Sequence, residues 1–302
     1  MDEPKVSIII PTYKDHEGLN RALRSVVNQT YQNLEIVVVN DCPEEDIGDY
    51  IEVDDDRIKT VNLEHNKGGA GEGARNVGIE KARGEFVFFL DGDDTLRSDV
   101  IELLVDKYQN SDFKVVTCWG KEKETEEILK IPKEEGDLYQ RSLEVSLFIP
   151  PGPLIKRKDI IDIGNYDENV RIGDRELAMR LAEKYRIGVI KEPLYIYDAK
   201  EPGGMKERRI KRLDSQEYLL EKHPQIKDNK KAYSNLCQRM AIGHMLKGDI
   251  EESRHYFKES LNASFSFATL VTYLVTFLPK TCRELTFKFI EKNKNLLKEM
   301  GY

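Results

Sequence analysis

The chain has 302 residues, 39% of them hydrophobic, enough for one large domain or two modest ones with a real core. Its formal net charge of −8 hides a split: residues 1–200 carry 28 Lys and Arg against 42 Asp and Glu, residues 201–302 carry 19 against 13. The acidic first part speaks against nucleic acid as a partner and holds an anionic substrate only through a metal or a placed arginine. Cys42, Cys118, Cys237 and Cys282 are far apart and form no Cys-x-x-Cys. That spacing excludes a disulfide framework and a cysteine zinc site, and reads as reduced thiols of a cytosolic protein.

In chain order, Lys5–Pro11 reads as a buried strand, and its apolar run Val6–Ile10 is too short for a signal-peptide core. Asp15 is placed to cap a helix carrying Leu19, Ala22, Leu23, Val26 and Val27 at helical spacing. Leu34–Asn40 is a second strand and Arg57–Leu63 a short third. A helix follows from about Gly73 to Ala82, then a strand at Phe86–Leu90, a helix over Asp99–Tyr108 and a strand at Phe113–Cys118. Strand and helix alternate, which predicts an α/β fold with a mostly parallel sheet flanked by helices. Residues 120–136 are charge-rich and read as a mobile excursion. An amphipathic helix containing Leu177 and Leu181 precedes two short strands, Ile187–Ile190 and Leu194–Tyr197. Glu201-Pro-Gly-Gly204 breaks regular structure, so the expected domains are 1–203 and an all-α region 204–302. Helices are expected there over roughly 206–222, 229–247, 249–261, 265–278 and 281–298.

The most informative stretch is Gly84–Asp94. An apolar run ends abruptly in Asp91, Asp93 and Asp94, with Gly92 leaving the backbone open to close approach. Carboxylates this crowded repel one another unless a cation sits between them, and oxygen ligands suit Mg2+ or Mn2+. Read alone, the segment is equally a solvated acidic turn. Ligands of open α/β sheets gather at strand carboxyl ends, where Thr12, Tyr13, Asp41 and Asp91–Asp94 all fall. The glycines 69, 71 and 73 are not a dinucleotide fingerprint, because they follow the third strand rather than the first. They read as a flexible loop near the site.

Four motifs in order resemble the family 2 inverting glycosyltransferases of GT-A fold: Val6–Tyr13, Leu23–Asp41, Gly73–Glu85 and Leu90–Asp94. The resemblance covers about residues 4–200. It implies nucleotide-sugar binding by Pro11, Thr12, Tyr13, Asp41, Arg75, Asp91, Gly92 and Asp93, with the metal on Asp93 and Asp91. Tyr13 offers a flat face to a base, or packs locally. Asp41 accepts from a uracil N3–H, or caps a helix. Arg75 reaches the base or diphosphate, or makes a surface salt bridge. Asn40 stands where the family usually has a second acidic residue.

Tyr166–Leu181 resembles the acceptor-side motif, usually Glu-Asp-x-Asp/Glu-Leu, and implies Asp174 as general base with Glu176, Arg175 and Asp94 in acceptor or supporting roles. Gly173 replaces the first acidic residue. Asp174 is alternatively an N-cap of its helix. The implied reaction is a single inverting displacement from a UDP-sugar, taken as UDP-glucose, to a glycan or lipid-linked glycan. A sugar-nucleotide nucleotidyltransferase is the competing enzyme class, but Pro11-Thr-Tyr-Lys-Asp15 lacks its glycine-rich loop. A non-catalytic scaffold with a sugar-nucleotide-binding domain is the third reading.

Elsewhere, Trp119 is a candidate sugar-stacking residue, and Pro150–Leu154 a rigid turn beside the acceptor pocket. Residues 232–261 look like one tetratricopeptide-type helix pair, with Ala241, Ser253, Phe257 and Ser260 inside and Gly248-Asp249 at the turn. Ala263–Leu278 carries no charge over 16 residues, short of a membrane span. It reads as a core helix of the tail or as an interfacial helix resting on the cytoplasmic face of a membrane.

Overall fold

The computed structural model describes residues 3–68, 71–148, 152–198, 205–282 and 285. The chain forms two compact units, 1–142 with 146–201, and 143–145 with 202–302. The expected boundary at 203/204 lies outside the described residues.

In the first unit the order is β1 (Val6–Thr12), α1 (His16–Val27), β2 (Leu34–Asn40), β3 (Ile58–Asn62), α2 (Glu72–Lys81), β4 (Phe86–Phe89), β5 (Thr95–Leu96) and α3 (Val100–Gln109). Then come β6 (Val115–Glu122), β7 (Ile128–Leu129), α4 (Tyr139–Glu144), β8 (Leu154–Lys156), α5 (Arg157–Asp162), α6 (Gly173–Lys184) and β9 (Ile187–Tyr197). One sheet runs β3-β2-β1-β4-β8-β6-β9-β5, with β7 on β6. Its first four strands are parallel; β8 then pairs antiparallel with both β4 and β6, so the sheet is mixed beyond β4.

Side chains of a strand alternate between faces, and β1 divides its three isoleucines that way. Ile8 and Ile10 join Phe86 and Phe88 against Leu19 and Leu23 of α1 and Leu104 of α3. Ile9, Val87 and Phe89 pack on the other face against Ala74 and Ile79 of α2 and Leu177 and Leu181 of α6. The strands read as unbroken apolar runs because both faces are covered. The consequence for function is that α2 and α6 share one face of the sheet.

Three expectations need correction. The segment 120–136 begins as a β-hairpin, Lys121 opposite Ile128, whose turn is closed by Glu122 accepting from the amides of Glu124 and Thr125. Its charges serve the turn, a local use that composition does not display. The two strands expected at 187–197 are one, β9; its register against β6 shifts on both sides of Trp119, which lies opposite Pro193. A bulge absorbs the proline that otherwise would end the strand. Trp119 donates to the Pro132 carbonyl at 2.9 Å and is not among the residues lining the cleft described below.

The second unit contains α7 (Met205–Lys211), α8 (Leu213–Lys222), α9 (Lys230–Lys247), α10 (Ile250–Ala263) and α11 (Phe267–Val275). The helix expected over 206–222 is thus two, and that over 281–298 lies largely outside the described residues. α9 and α10 form a hairpin around Gly248, whose φ of +106° ends α9 in the left-handed region. Ala241, Ser253, Phe257 and Ser260 are buried in it. Of the two readings of 263–278, α11 does not fit an apolar core helix: it buries Thr269 and Thr272 and leaves Phe267 73% and Leu274 55% exposed. Gln238 donates to Thr269 at 2.8 Å, so the inward face of α11 is chosen by polar partners on α9. Among the described residues, no helix is long and apolar enough to cross a membrane.

Candidate active site

A cleft of about 530 Å³ opens at the carboxyl ends of β1, β2 and β4. It is lined by Pro11, Thr12, Tyr13, Asp41, Arg75 and Asp91–Asp93 from the expected set. Asp15 and Asn66 also line it; the sequence marked Asp15 only as a helix cap, a role it fills by accepting from Gly18 at 2.9 Å. Tyr13 is 53% exposed, with Lys14 Nζ 5.1 Å from its ring centroid. The hydroxyl of Thr12 is buried without a hydrogen-bond partner, an unmet demand on the wall of a binding cleft. Gly92 lies against β1, where an added Cβ would come within 3.1 Å of the Pro11 carbonyl oxygen.

Asp41 caps no helix. Its Oδ1 accepts from the Lys67 amide at 2.6 Å, and its carbonyl accepts from Asn66 at 2.8 Å, so it organises the loop before α2. Burial raises its pKa, opposed by the amides of Lys67 and Gly68. A carboxylate has about four acceptor positions, leaving capacity for a base N–H. Asn40, where the resemblance leads one to expect acid, is fully enclosed. Its amide donates to the carbonyls of Cys42 and Glu45 at 2.9 and 2.8 Å, bonds that an aspartate could not make.

α2 gathers the charges. Gly71 caps it at φ +96°, and a Cβ there would lie 3.0 Å from Arg75 Nη1. Glu72, Arg75 and Asn76, at i, i+3 and i+4, share one helix face. Arg75 is buried and donates to the partly exposed Asp91 Oδ1 at 2.5 Å, an ion pair in the wall of the cleft and not on the outer surface. Its guanidinium also lies over the ring of Tyr166, 5.5 Å from the centroid. Burial opposes the charge of Arg75, but Asp91, Asp174, Tyr166 and Glu72 hold its pKa above the ordinary value. Asn76 clamps the backbone of Tyr166, donating to its carbonyl at 3.0 Å and accepting from its amide at 2.9 Å.

Asp174 lies in the first turn of α6 but does not cap it; the N-cap is Ile172. Burial pushes its pKa up to about 6, with Asp91 and Glu72 adding to the rise and Arg75 opposing it. A half-buried carboxyl poised there suits a general base. Glu176 is fully buried and paired: it accepts from Arg180 Nε at 2.8 and 2.9 Å, and Arg180 reaches on to the carbonyls of Ile163 and Asn165. Arg175 is buried beside it. Asp94 is buried and accepts from the Asp198 amide at 3.0 Å. Burial, then Asp91 and Asp93, push its pKa up to about 9.

Burial and then Asp91 raise the pKa of Asp93, with Asp15 and Asp198 adding to it. Arg75 offsets only part of the negative field of Asp91, Asp93 and Asp94, and the all-oxygen donors fit a hard divalent cation. Among the described residues, no three Asp, Glu, His or Cys side chains form a ready cage. Asp93 and Asp91 would therefore hold such an ion in partnership with phosphate oxygens and water.

Sequence reasoning missed Glu72, Asn76 and Tyr166. Their contacts span about a hundred residues, and the only signal was the shared face of Glu72 and Asn76 with Arg75.

The curated relatives include the GalNAc(5)-diNAcBac-PP-undecaprenol beta-1,3-glucosyltransferase of Campylobacter jejuni, 39% identical over 107 residues. The match covers 34% of this chain, which spans only 34% of that relative's length. Among solved structures, Staphylococcus aureus TarS 1–349 in complex with UDP-GlcNAc superposes with a TM-score of 0.63 at 18% identity, over 96% of this chain and 91% of that one. The mannosyltransferase PcManGT from Pyrobaculum calidifontis, in complex with GDP-Man and Mn2+, gives 0.61 at 19% identity, over 98% and 88%. These likenesses confirm the α/β GT-A fold. The model of glycosyl transferase family 2 matches residues 7–181, more than half of the chain, and the protein belongs to that family.

Proposed function

We propose that the protein is an inverting, divalent-metal-dependent glycosyltransferase that moves glucose from UDP-glucose to a hydroxyl of a glycan or lipid-linked glycan. The observation that carries this reading is Arg75, which pairs with Asp91 in the donor cleft and shares its field with Asp174, the base. Tyr13 stacks the nucleobase, while Thr12 and Asp41 supply polar contacts to it or to the ribose. The cation, Mn2+ or Mg2+, would supply charge neutralisation at the diphosphate from Asp93 and Asp91. Asp174 takes the proton of the acceptor hydroxyl as its oxygen bonds to the anomeric carbon, and the nucleoside diphosphate leaves from the opposite face. One base without a nucleophilic carboxylate opposite it gives inversion. The donor is supported by the UDP-GlcNAc and GDP-Man complexes of the structural relatives, and the lipid-linked acceptor by the Campylobacter relative's undecaprenol substrate. We further place the protein in the cytoplasm, with the exposed apolar face of α11 resting on the membrane that carries such an acceptor.

Calorimetry with UDP-, GDP- and dTDP-sugars, with and without Mn2+, tests the reading. Metal-dependent binding of one UDP-sugar, abolished in Asp93→Ala, is the expected result. Absence of binding under every metal condition overturns it.

A further inference from the structure

Glu72 opens α2 with its side chain turned into the protein, the residue only 2% exposed. Its Oε1 accepts from the backbone amide of Gly173 at 3.1 Å, a buried bond across 101 residues. Gly173 is the first residue of α6 and the neighbour of Asp174. A Cβ built on Gly173 would lie 2.5 Å from Glu72 Cγ and 2.8 Å from its Oε1. A side chain at 173 and the carboxylate of Glu72 therefore compete for the same space.

A buried carboxylate is costly unless paired, and an amide in the first turn of a helix needs an acceptor from outside the helix. Glu72 answers the second demand, and the nearby charge of Arg75 answers the first. Its neighbours on the same face of α2 bind Asp91 and Tyr166, so three consecutive contacts fasten this helix to both halves of the site.

We propose that Glu72 is the positioning residue of the base, supplying from the donor-side helix the carboxylate that a residue at 173 would otherwise carry. It sets Asp174 relative to the donor. The inference rests on the reading of Asp174 as base. It also gives the glycine at 173 a reason: the acidic group expected at that point of the motif is present in space, delivered from another helix.

The test uses the full chain, UDP-glucose with Mn2+, release of UDP by water in the absence of acceptor, and donor affinity by calorimetry. Glu72→Ala should lower kcat roughly 10- to 100-fold, the scale of a misplaced catalytic group, while donor affinity holds. Gly173→Glu added to Glu72→Ala should restore most of the lost rate, whereas Gly173→Ala in the same background should not. Gly173→Glu alone should be damaging, because Glu72 still fills the space. A wild-type rate in Glu72→Ala, or equal recovery by both double variants, overturns the proposal; equal recovery would make the role one of filling volume. If the wild-type protein turns over no donor, the proposed function fails. The pairing is still read by thermal unfolding, where Glu72→Ala must rescue the stability of Gly173→Glu, and strictly additive shifts overturn it.

Discussion

Arg75 meets Asp91 at 2.5 Å on the wall of the cleft, and that pair joins the helix after the glycine loop to the segment just past β4. The carboxylate is thereby committed to a guanidinium on one side while remaining open to the cleft on the other. The guanidinium is held in a tight space, since a Cβ at Gly71 would lie 3.0 Å from its Nη1.

Arg75→Lys should therefore be far from conservative. A lysine keeps the charge but cannot present the planar fork that bonds Asp91 while lying over Tyr166. Losing that fork shifts the groups around the cleft, so kcat/KM should fall by roughly two orders of magnitude, the scale of a small misplacement at a catalytic site. Steady-state kinetics beside a thermal melt will separate this from unfolding; a fall of less than threefold would contradict the central role given to Arg75.

The pH dependence follows from Asp174. With its carboxyl pushed up to about 6, the base is protonated below that value, so kcat/KM should fall about tenfold per unit on the acid side. The same shift bears on stability. The folded pKa lies above the ordinary 3.8, so the folded state binds this proton more tightly, and ionisation destabilises the fold as pH rises through that interval. Asp174→Asn should accordingly abolish turnover, retain UDP binding and melt at a higher temperature than the wild type at pH 8. A lower melting temperature at that pH would show that the carboxylate is held for structure.

What could be read in the sequence divides along physical lines. Ile8–Ile10, Val37–Val39 and Phe86–Phe89 are legible as strands because apolar residues on both faces leave no other local solution. The gathering of Tyr13, Asp41 and Asp91 follows from their position at strand ends in a parallel arrangement. Glu72 was invisible for the opposite reason: its meaning lies in Gly173, which nothing local connects to it. The same holds for Asn76 and Tyr166. The sequence left α11 open between a core and an interfacial helix because its inward face is chosen by polar partners on α9 and α10, which hydropathy does not display.

Tyr13 offers a clean test of nucleotide stacking, because its exposed ring contributes little to the core. Base–aromatic stacking is worth roughly 1–3 kcal/mol, so Tyr13→Ala should weaken UDP binding by about 5- to 150-fold. Tyr13→Phe should bind like the wild type, since the face and not the hydroxyl is used. Equal affinity in all three proteins by calorimetry would remove the ring from the nucleotide site.

Away from the cleft, Glu35 makes a stability prediction of opposite sign to that for Asp174. It is buried in β2, where desolvation alone would raise its pKa, but bonds from Lys59, Ser7 and the Arg83 amide outweigh burial and bring it to about 2. The ordinary value is 4.5, so the folded state prefers the charged form. Its stabilisation is complete above the ordinary value and is lost as pH falls from there toward 2. Glu35→Gln removes the charge and leaves Lys59 facing a neutral amide, at a cost of about 2 kcal/mol, the scale of a charged hydrogen bond. At pH 7 the variant should melt several degrees below the wild type, and the difference should shrink as both are titrated from pH 4.5 toward pH 2.5. Parallel melting curves at all pH values would mean that Glu35 acts through packing and that its charge contributes nothing.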